Sequence, residues 1–144
     1  MPDGLVLDHI GIAVSSIEES AVLYQALGLH VETVEAVVQQ GVKVAFLPLG
    51  ETRIELLEPT GPESPIARFL ERKGPGIHHL SLRVRDIESA MADLDRQGYA
   101  LLHDKPQPGA HGSLVCFLHP KSAGGVLIEL TQPADRAENK GEAK

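Results

Sequence analysis

The chain carries one sequence pattern twice, and the second copy follows the first by about seventy residues. The segment LDHIGIAV at 7–14 matches IHHLSLRV at 77–84, and RIELLEP at 53–59 matches LIELTQP at 127–133. The matches keep their order along both halves. A repeat of this kind predicts two copies of one structural unit, each built from the same elements in the same order.

Each copy reads as a strand, a helix and three further strands, so the predicted fold class is α+β with two tandem βαβββ modules. The helices are predicted to begin at Ser16 and Asp86, which are N-cap residue types, and to end at Gly28 and Gly98. The predicted strands lie at 5–14, 30–36, 42–48 and 52–58 in the first copy, and at 77–84, 100–104, 113–118 and 125–131 in the second.

A linker separates the two modules, and a polar tail follows the second. We expect a single domain over residues 1–132, with module one at about 5–58 and module two at about 77–132. The linker, 59–76, contains a helix that starts at Ser64 and Pro65, because Pro is favoured at the first helical position after an N-cap. The charged tail at 133–144 is expected to be disordered.

The charge and the cysteine content exclude several classes of function. The net charge is −7, from 13 Lys and Arg against 20 Asp and Glu, which argues against nucleic-acid binding. Cys116 is the single cysteine, so an internal disulfide is impossible, and its apolar surroundings predict a small buried hydrophobe. The sequence shows no signal-peptide pattern and no membrane-spanning apolar run, so we expect a cytoplasmic protein without a membrane partner.

Two histidines and two glutamates fall at equivalent places in the two copies. Because alternate side chains of a strand point to opposite faces, the apolar residues of the first strands face the helices and turn His9 and His79 the other way. Glu55 and Glu129 also point away from apolar neighbours, and a buried glutamate is costly unless it is paired or binds a metal. His78 is expected to point with the apolar set, at the start of the strand, and not to be a ligand. The histidines without a repeat partner, expected in loops or on the surface, are His30, His103, His111 and His119.

These equivalent residues predict a metal site if the modules meet about a pseudo-twofold axis. His9, Glu55, His79 and Glu129 would then converge. Two imidazoles and two carboxylates suit a divalent first-row metal such as Co, Ni, Zn or Mn. Such a set can leave coordination positions open for the oxygens of a substrate.

The repeated segments resemble the vicinal oxygen chelate superfamily, which includes glyoxalase I, extradiol dioxygenases and bleomycin-resistance proteins. The resemblance covers about residues 5–132 and is strongest to the methylmalonyl-CoA epimerases of that superfamily. The more specific segments are ELLEPTGPESPIARFL at 55–70 and HPKSAGGVLIEL at 119–130. The resemblance implies a curved, barrel-like mixed sheet with the helices outside.

The resemblance also implies a metal held by His9, His79 and Glu129. Co²⁺ is the first expectation, with Zn²⁺, Mn²⁺ and Ni²⁺ as other choices. The fourth ligand position is often Gln in the epimerases and is Glu55 here, which gives the ligand set expected of glyoxalase I. Some epimerases have an acid/base glutamate on the strand after QGV, where this chain has Val44.

The activity that the resemblance implies is metal-dependent interconversion of (R)- and (S)-methylmalonyl-CoA by proton transfer through an enolate. Glu129 and Glu55 are the candidate acid/base groups, and Lys121 is a candidate contact for the anionic part of the acyl-CoA. A homodimer is also implied. Two alternatives remain open: a glyoxalase I-like lyase acting on a glutathione hemithioacetal, and a non-enzymatic small-molecule binding protein of the same fold.

Overall fold

The computed structural model describes residues 5–134, which form eight strands, three α-helices and three short 3-10 helices. The strands are β1 (Val6–Ala13), β2 (Thr33–Val37), β3 (Val42–Leu49), β4 (Thr52–Pro59), β5 (Gly76–Arg83), β6 (Gln107–Pro108), β7 (Leu114–Phe117) and β8 (Ile128–Gln132). The α-helices are α1 (Ile17–Ala26), α2 (Pro65–Lys73) and α3 (Ile87–Arg96). The 3-10 helices are Val38–Gln40, Ala110–Gly112 and Pro120–Ala123. The tail expected to be disordered, 133–144, lies outside the described residues from 135 onward.

All eight strands belong to one mixed sheet in the order β2-β3-β4-β1-β5-β8-β7-β6. The first strand of each module pairs in parallel with the last strand of the same module, β1 with β4 and β5 with β8. The two modules are joined where β1 and β5 pair antiparallel at the centre. The order on one side of this junction therefore repeats on the other, and the predicted fold of two βαβββ modules in a curved sheet is confirmed.

The helices begin and end where the sequence predicts. The Ser16 hydroxyl accepts a hydrogen bond from the Glu19 amide at 3.1 Å, and the Asp86 carboxylate accepts one from the Ser89 amide at 3.1 Å. Gly28, just beyond α1, has a φ of +103°, a conformation that strongly favours glycine. In the linker, the Ser64 hydroxyl accepts from the Ile66 amide and starts α2.

The helices of the two modules cover equivalent parts of the sheet. Ile17 and Ala21 of α1 pack in a buried cluster with Leu56 of β4, while Ile87 and Met91 of α3 pack with residues of β7 and β8. That second cluster includes Cys116, which is fully buried as predicted. None of the helices formed by residues 5–134 has the length and apolar character needed to cross a membrane.

Side chains from the two ends of the sheet meet across its open side. The backbone amide of His111, before β7, donates to the Glu35 carboxylate of β2 at 3.0 Å. The His111 ring stacks on Phe46 with 4.1 Å between ring centroids, and the Gln40 amide donates to the Pro108 carbonyl at 3.1 Å. These contacts hold the two edges together, so the curved sheet encloses a cavity.

The prediction of a strand at 100–104 is wrong. Only Leu101 forms an isolated bridge there, to Leu118, and the short β6 comes later, at Gln107–Pro108. The Leu102 amide still donates to the Phe117 carbonyl at 2.8 Å, but the chain then bends at 104–105 and reaches Pro106, which has no amide hydrogen to continue the pairing.

Candidate active site

Two bulges at the junction of the modules position the histidines. In the pairing of β1 with β5, Leu7 lies opposite Leu82 and His9 lies opposite Ser81, so Asp8 is an extra residue. Further along, Gly11 pairs with His79 and Ile12 pairs with Ile77, so His78 is the extra residue of β5. A bulge interrupts the strict alternation of side chains. Each bulged residue therefore comes within hydrogen-bonding distance of the histidine that follows it.

The two central histidines and Glu129 converge on one point. His9 Nε2 lies 3.1 Å from His79 Nε2, and Glu129 Oε1 lies 3.3 Å from the first nitrogen and 3.7 Å from the second. All three side chains are buried. The structure thus brings together three of the four residues that the sequence predicts as metal ligands.

The donor set fits a divalent metal. One ligand atom from each of His9, His79 and Glu129 lies within 4.8 Å of the others. Glu129 Oε1 is buried and has no hydrogen-bond partner among the described residues, an arrangement that is costly for a carboxylate oxygen unless a cation lies beside it. Two imidazole nitrogens and one carboxylate oxygen are a ligand set found in catalytic sites that keep positions open.

Glu55 lies at the other ring nitrogen of His9. Its Oε2 is 3.2 Å from His9 Nδ1, a nitrogen that also donates to Asp8 Oδ2 at 2.7 Å. The Arg53 guanidinium contacts both carboxylates, at 2.8 Å to Glu55 and 3.1 Å to Asp8, and Arg83 contacts Asp8 at 2.9 Å. Since two arginines already balance the two carboxylates, this second group suits the anchoring of His9 better than the binding of a metal. The structure does not place Glu55 beside the Nε2 atoms.

The two histidines have opposite protonation preferences. Burial lowers the pKa of His79 to about 3 and outweighs the attraction of Glu129. Burial also acts on His9, but the hydrogen bond to Asp8 and the attraction of the Glu129 and Glu55 carboxylates outweigh it and raise the pKa of His9 to about 9. A protonated His9 Nε2 can therefore donate a hydrogen bond to the neutral His79 Nε2.

The two glutamates also differ. Burial raises the pKa of Glu55 above its ordinary value, although the nearby charges of His9 and Arg53 act against it. For Glu129, burial acts in the same sense, but His9 and His79 outweigh it and hold its pKa below the ordinary value. Glu129 is therefore ionised at neutral pH.

A cavity of about 360 Å³ opens onto this group, within the size range of small-molecule sites. Two carboxylates line the cavity among the described residues, Glu55 and Glu129. Glu55 lies near Nδ1 of His9, and Glu129 lies near its Nε2. Much of the remaining wall is apolar. Val44, which stands where some relatives have a glutamate, contributes to that wall and supplies no proton-transfer group.

Other predicted and unpredicted residues are placed as follows. Lys121 is exposed and does not line the cavity. His103, expected in a loop or on the surface, does line it. His78 was expected to follow the apolar set, but its Nδ1 lies 2.9 Å from His79 Nδ1. Strict alternation does not predict the contacts of Asp8 and His78 with the central histidines. The two residues align with each other in the repeat, however, and this alignment indicates equivalent positions.

Gly11 provides a test of the site's geometry. A Cβ atom on this residue would overlap the imidazole of His79, which pairs with it across the strands. We expect Gly11→Ala to displace His79 and weaken divalent-metal binding by about 10- to 100-fold, the usual cost of disturbing the support of a ligand. Metal titration checks the affinity, and circular dichroism checks the fold.

The matched control is Gly61→Ala, because a Cβ at Gly61 meets no atom within 4 Å. Metal binding that is equally tight in Gly11→Ala and the control would show that His79 does not need its observed position.

Comparison with known proteins gives a consistent result. The model of the family described as Glyoxalase/Bleomycin resistance protein/Dioxygenase superfamily matches residues 8–117. The mitochondrial methylmalonyl-CoA epimerase of Homo sapiens is 44% identical over 128 residues, which are 88% of this chain and 73% of the human protein. The crystal structure of methylmalonyl-CoA epimerase from Mycobacterium tuberculosis matches with a TM-score of 0.89 and 37% identity, covering 96% of each chain. A methylmalonyl-CoA epimerase in complex with methylmalonyl-CoA and NH4+ matches with a TM-score of 0.87 and 36% identity, covering 90% of this chain and 95% of the other.

Proposed function

Because the chain belongs to the glyoxalase/bleomycin resistance/dioxygenase superfamily, and within it to the methylmalonyl-CoA epimerases, we propose that it interconverts (R)- and (S)-methylmalonyl-CoA. The observation that carries this proposal is the pair of buried carboxylates, Glu55 and Glu129, on the wall of one cavity. An epimerase needs proton-transfer groups on two sides of a single carbon, and two carboxylates beside different nitrogens of His9 meet that need.

In this proposal, His9, His79 and Glu129 would hold a divalent metal ion. The ion would supply Lewis-acid stabilisation of the negative charge that develops on the thioester. Co²⁺ is the proposed ion, and Zn²⁺, Mn²⁺ and Ni²⁺ also suit these ligands. Metal analysis of the purified protein identifies the ion.

The proton transfers are assigned to the two glutamates. One carboxylate takes the C2 proton, and the electron pair of the broken C–H bond moves into the thioester to give an enolate. The other carboxyl group then donates a proton to the opposite face of C2. Glu129 is the first base that we assign, and Glu55 is the second, because Val44 leaves β3 without a carboxylate at the cavity.

The surroundings of the carboxylates support these roles. The apolar wall of the cavity keeps water away from a reactive enolate. Burial raises the pKa of Glu55 and thereby makes its carboxyl group a better proton acceptor than an exposed one. Arg53 holds the Glu55 carboxylate at 2.8 Å and fixes its direction.

Exchange of the C2 proton in deuterium oxide tests the function. We expect the metal-loaded protein to exchange the C2 proton of methylmalonyl-CoA rapidly, as followed by NMR, and to convert one epimer into the other, as detected with a stereospecific mutase. The uncatalysed exchange is the background, and a chelator should return the rate to that level.

Exchange no faster than the background, with metal bound, would contradict the proposal. The hemithioacetal of methylglyoxal and glutathione is then the next substrate, since the His9, Glu55, His79 and Glu129 set is also the one expected of glyoxalase I. Binding of the acyl-CoA without turnover of either substrate would instead point to a non-enzymatic binding protein.

A further inference from the structure

A second depression, which we call the α2 groove, adjoins the cavity. One wall is formed by the side of α2 that carries Arg68, Arg72 and Lys73, and the other includes Val126 and Leu127. The groove and the cavity share four lining residues, which are Pro65, His78, His79 and Leu127. A ligand held at His79 can therefore continue into the α2 groove without leaving the protein surface.

The charge of the α2 groove is opposite to that of the molecule as a whole. The chain carries a net charge of −7, yet three cationic side chains line this one depression. Among the described residues, none of the three forms an ion pair with a carboxylate. Arg68 donates only to the backbone carbonyl of Glu63, and Lys73 lies over the ring of Phe69 at 5.9 Å. These cations are available to an anionic ligand.

The order of residues along α2 matches the order of groups in an acyl-CoA. Pro65, at the start of the helix, lines the cavity, and Arg72 follows it by seven residues, or about 10 Å along a helix axis. Apolar side chains lie between the two regions and on the facing wall. Ile77 and Val126 are 63% and 44% exposed and give the groove an apolar surface suited to a neutral chain.

We propose that the α2 groove binds the phosphate groups of the acyl-CoA, with Arg68, Arg72 and Lys73 as their contacts. This inference rests on the proposed function, which places the thioester beside His79. The neutral pantetheine arm then lies along the apolar part of the groove, and the phosphates reach the cations. Guanidinium groups form paired hydrogen bonds to phosphate oxygens and suit this role. Lys121, the cation predicted from the sequence, follows Pro120 of the facing wall but does not itself line the groove.

The test compares ligands with and without phosphates. CoA, 3′-dephospho-CoA and pantetheine are titrated by calorimetry into the wild-type protein, Arg72→Gln, and the triple variant Arg68→Gln/Arg72→Gln/Lys73→Gln. We expect CoA affinity to fall about tenfold in the single variant and about a hundredfold in the triple variant, the scale of charge-assisted hydrogen bonds in a partly exposed site. The preference of the wild-type protein for CoA over pantetheine should disappear in the triple variant.

The matched control is Lys105→Gln, which removes one exposed positive charge outside the α2 groove. Unchanged CoA affinity in the triple variant would overturn the proposal, and so would an equal loss in Arg72→Gln and in Lys105→Gln. The wild-type protein is also assayed for C2 proton exchange. If the triple variant loses CoA affinity but the wild-type protein shows no C2 proton exchange, the proposal for the α2 groove stands and the proposed function is rejected.

Discussion

Replacing Glu129 with Gln is expected to reduce epimerisation of methylmalonyl-CoA by about a thousandfold, the scale of a lost acid/base group. The substitution keeps the size of the side chain but removes the carboxylate that can accept the C2 proton. Epimerisation is measured with the stereospecific mutase, at metal concentrations that saturate the variant. Metal content is determined in the same samples, because Glu129 Oε1 also lies 3.3 Å from His9 Nε2.

The two glutamates can be distinguished by the epimer that each variant still exchanges. If Glu129 and Glu55 serve opposite faces of C2, Glu129→Gln retains proton exchange with one epimer and Glu55→Gln retains it with the other. Glu51→Gln, at an exposed position, is the control and should behave as the wild-type protein does. Wild-type exchange of both epimers by metal-loaded Glu129→Gln would reject its role as a base.

Metal binding is expected to become tighter as the pH rises from about 7 to 9. The carboxylates around His9 raise its pKa to about 9, so at neutral pH a metal ion must displace a proton from Nε2. The affinity should therefore increase by close to tenfold for each pH unit below that pKa and level off above it. His79, whose pKa is lowered to about 3, is already neutral and adds no slope in this range. Calorimetry in buffers of different ionisation enthalpy should detect about one proton released for each ion bound.

The variant Asp8→Asn tests whether the raised pKa of His9 causes this pH dependence of metal binding. It removes the carboxylate 2.7 Å from His9 Nδ1, so the pKa of His9 falls and the rise in metal affinity moves to lower pH. Circular dichroism confirms that the variant is folded, since Asp8 also contacts Arg53 and Arg83. A metal affinity that is independent of pH in the wild-type protein would show that His9 does not hold the proton.

Much of the site could be predicted because the repeat pairs its residues. Alternation along the strands gave the inward direction of His9, His79 and Glu129, and the structure brings these three together. The capping residues and the linker helix could also be predicted, since they depend on local sequence.

The rest depends on contacts that local patterns do not describe. A bulge in a strand has no fixed sequence signal, so alternation places His78 with the apolar set and indicates no role for Asp8. The contact between Arg53 and Glu55 could have been found, because residues two apart share a face of a strand. The cations of α2 have no distinctive spacing in the sequence, and only the cavity beside the helix gives them a possible role as ligand contacts.

The pseudo-twofold relation between β1 and β5 has a consequence for the stereochemistry. The substrate and product of an epimerisation at C2 differ only by reflection at that carbon. Each half of the site contributes a histidine, a carboxylate and a bulge of the same origin. The two halves are nevertheless unlike, because the pKa values of His9 and His79 are shifted in opposite directions and, within the described part of the chain, only Glu55 of the two carboxylates is held by an arginine. Duplication of a single module thus supplies one carboxylate for each face of C2, while the differences between the copies allow the two epimers to meet different surroundings.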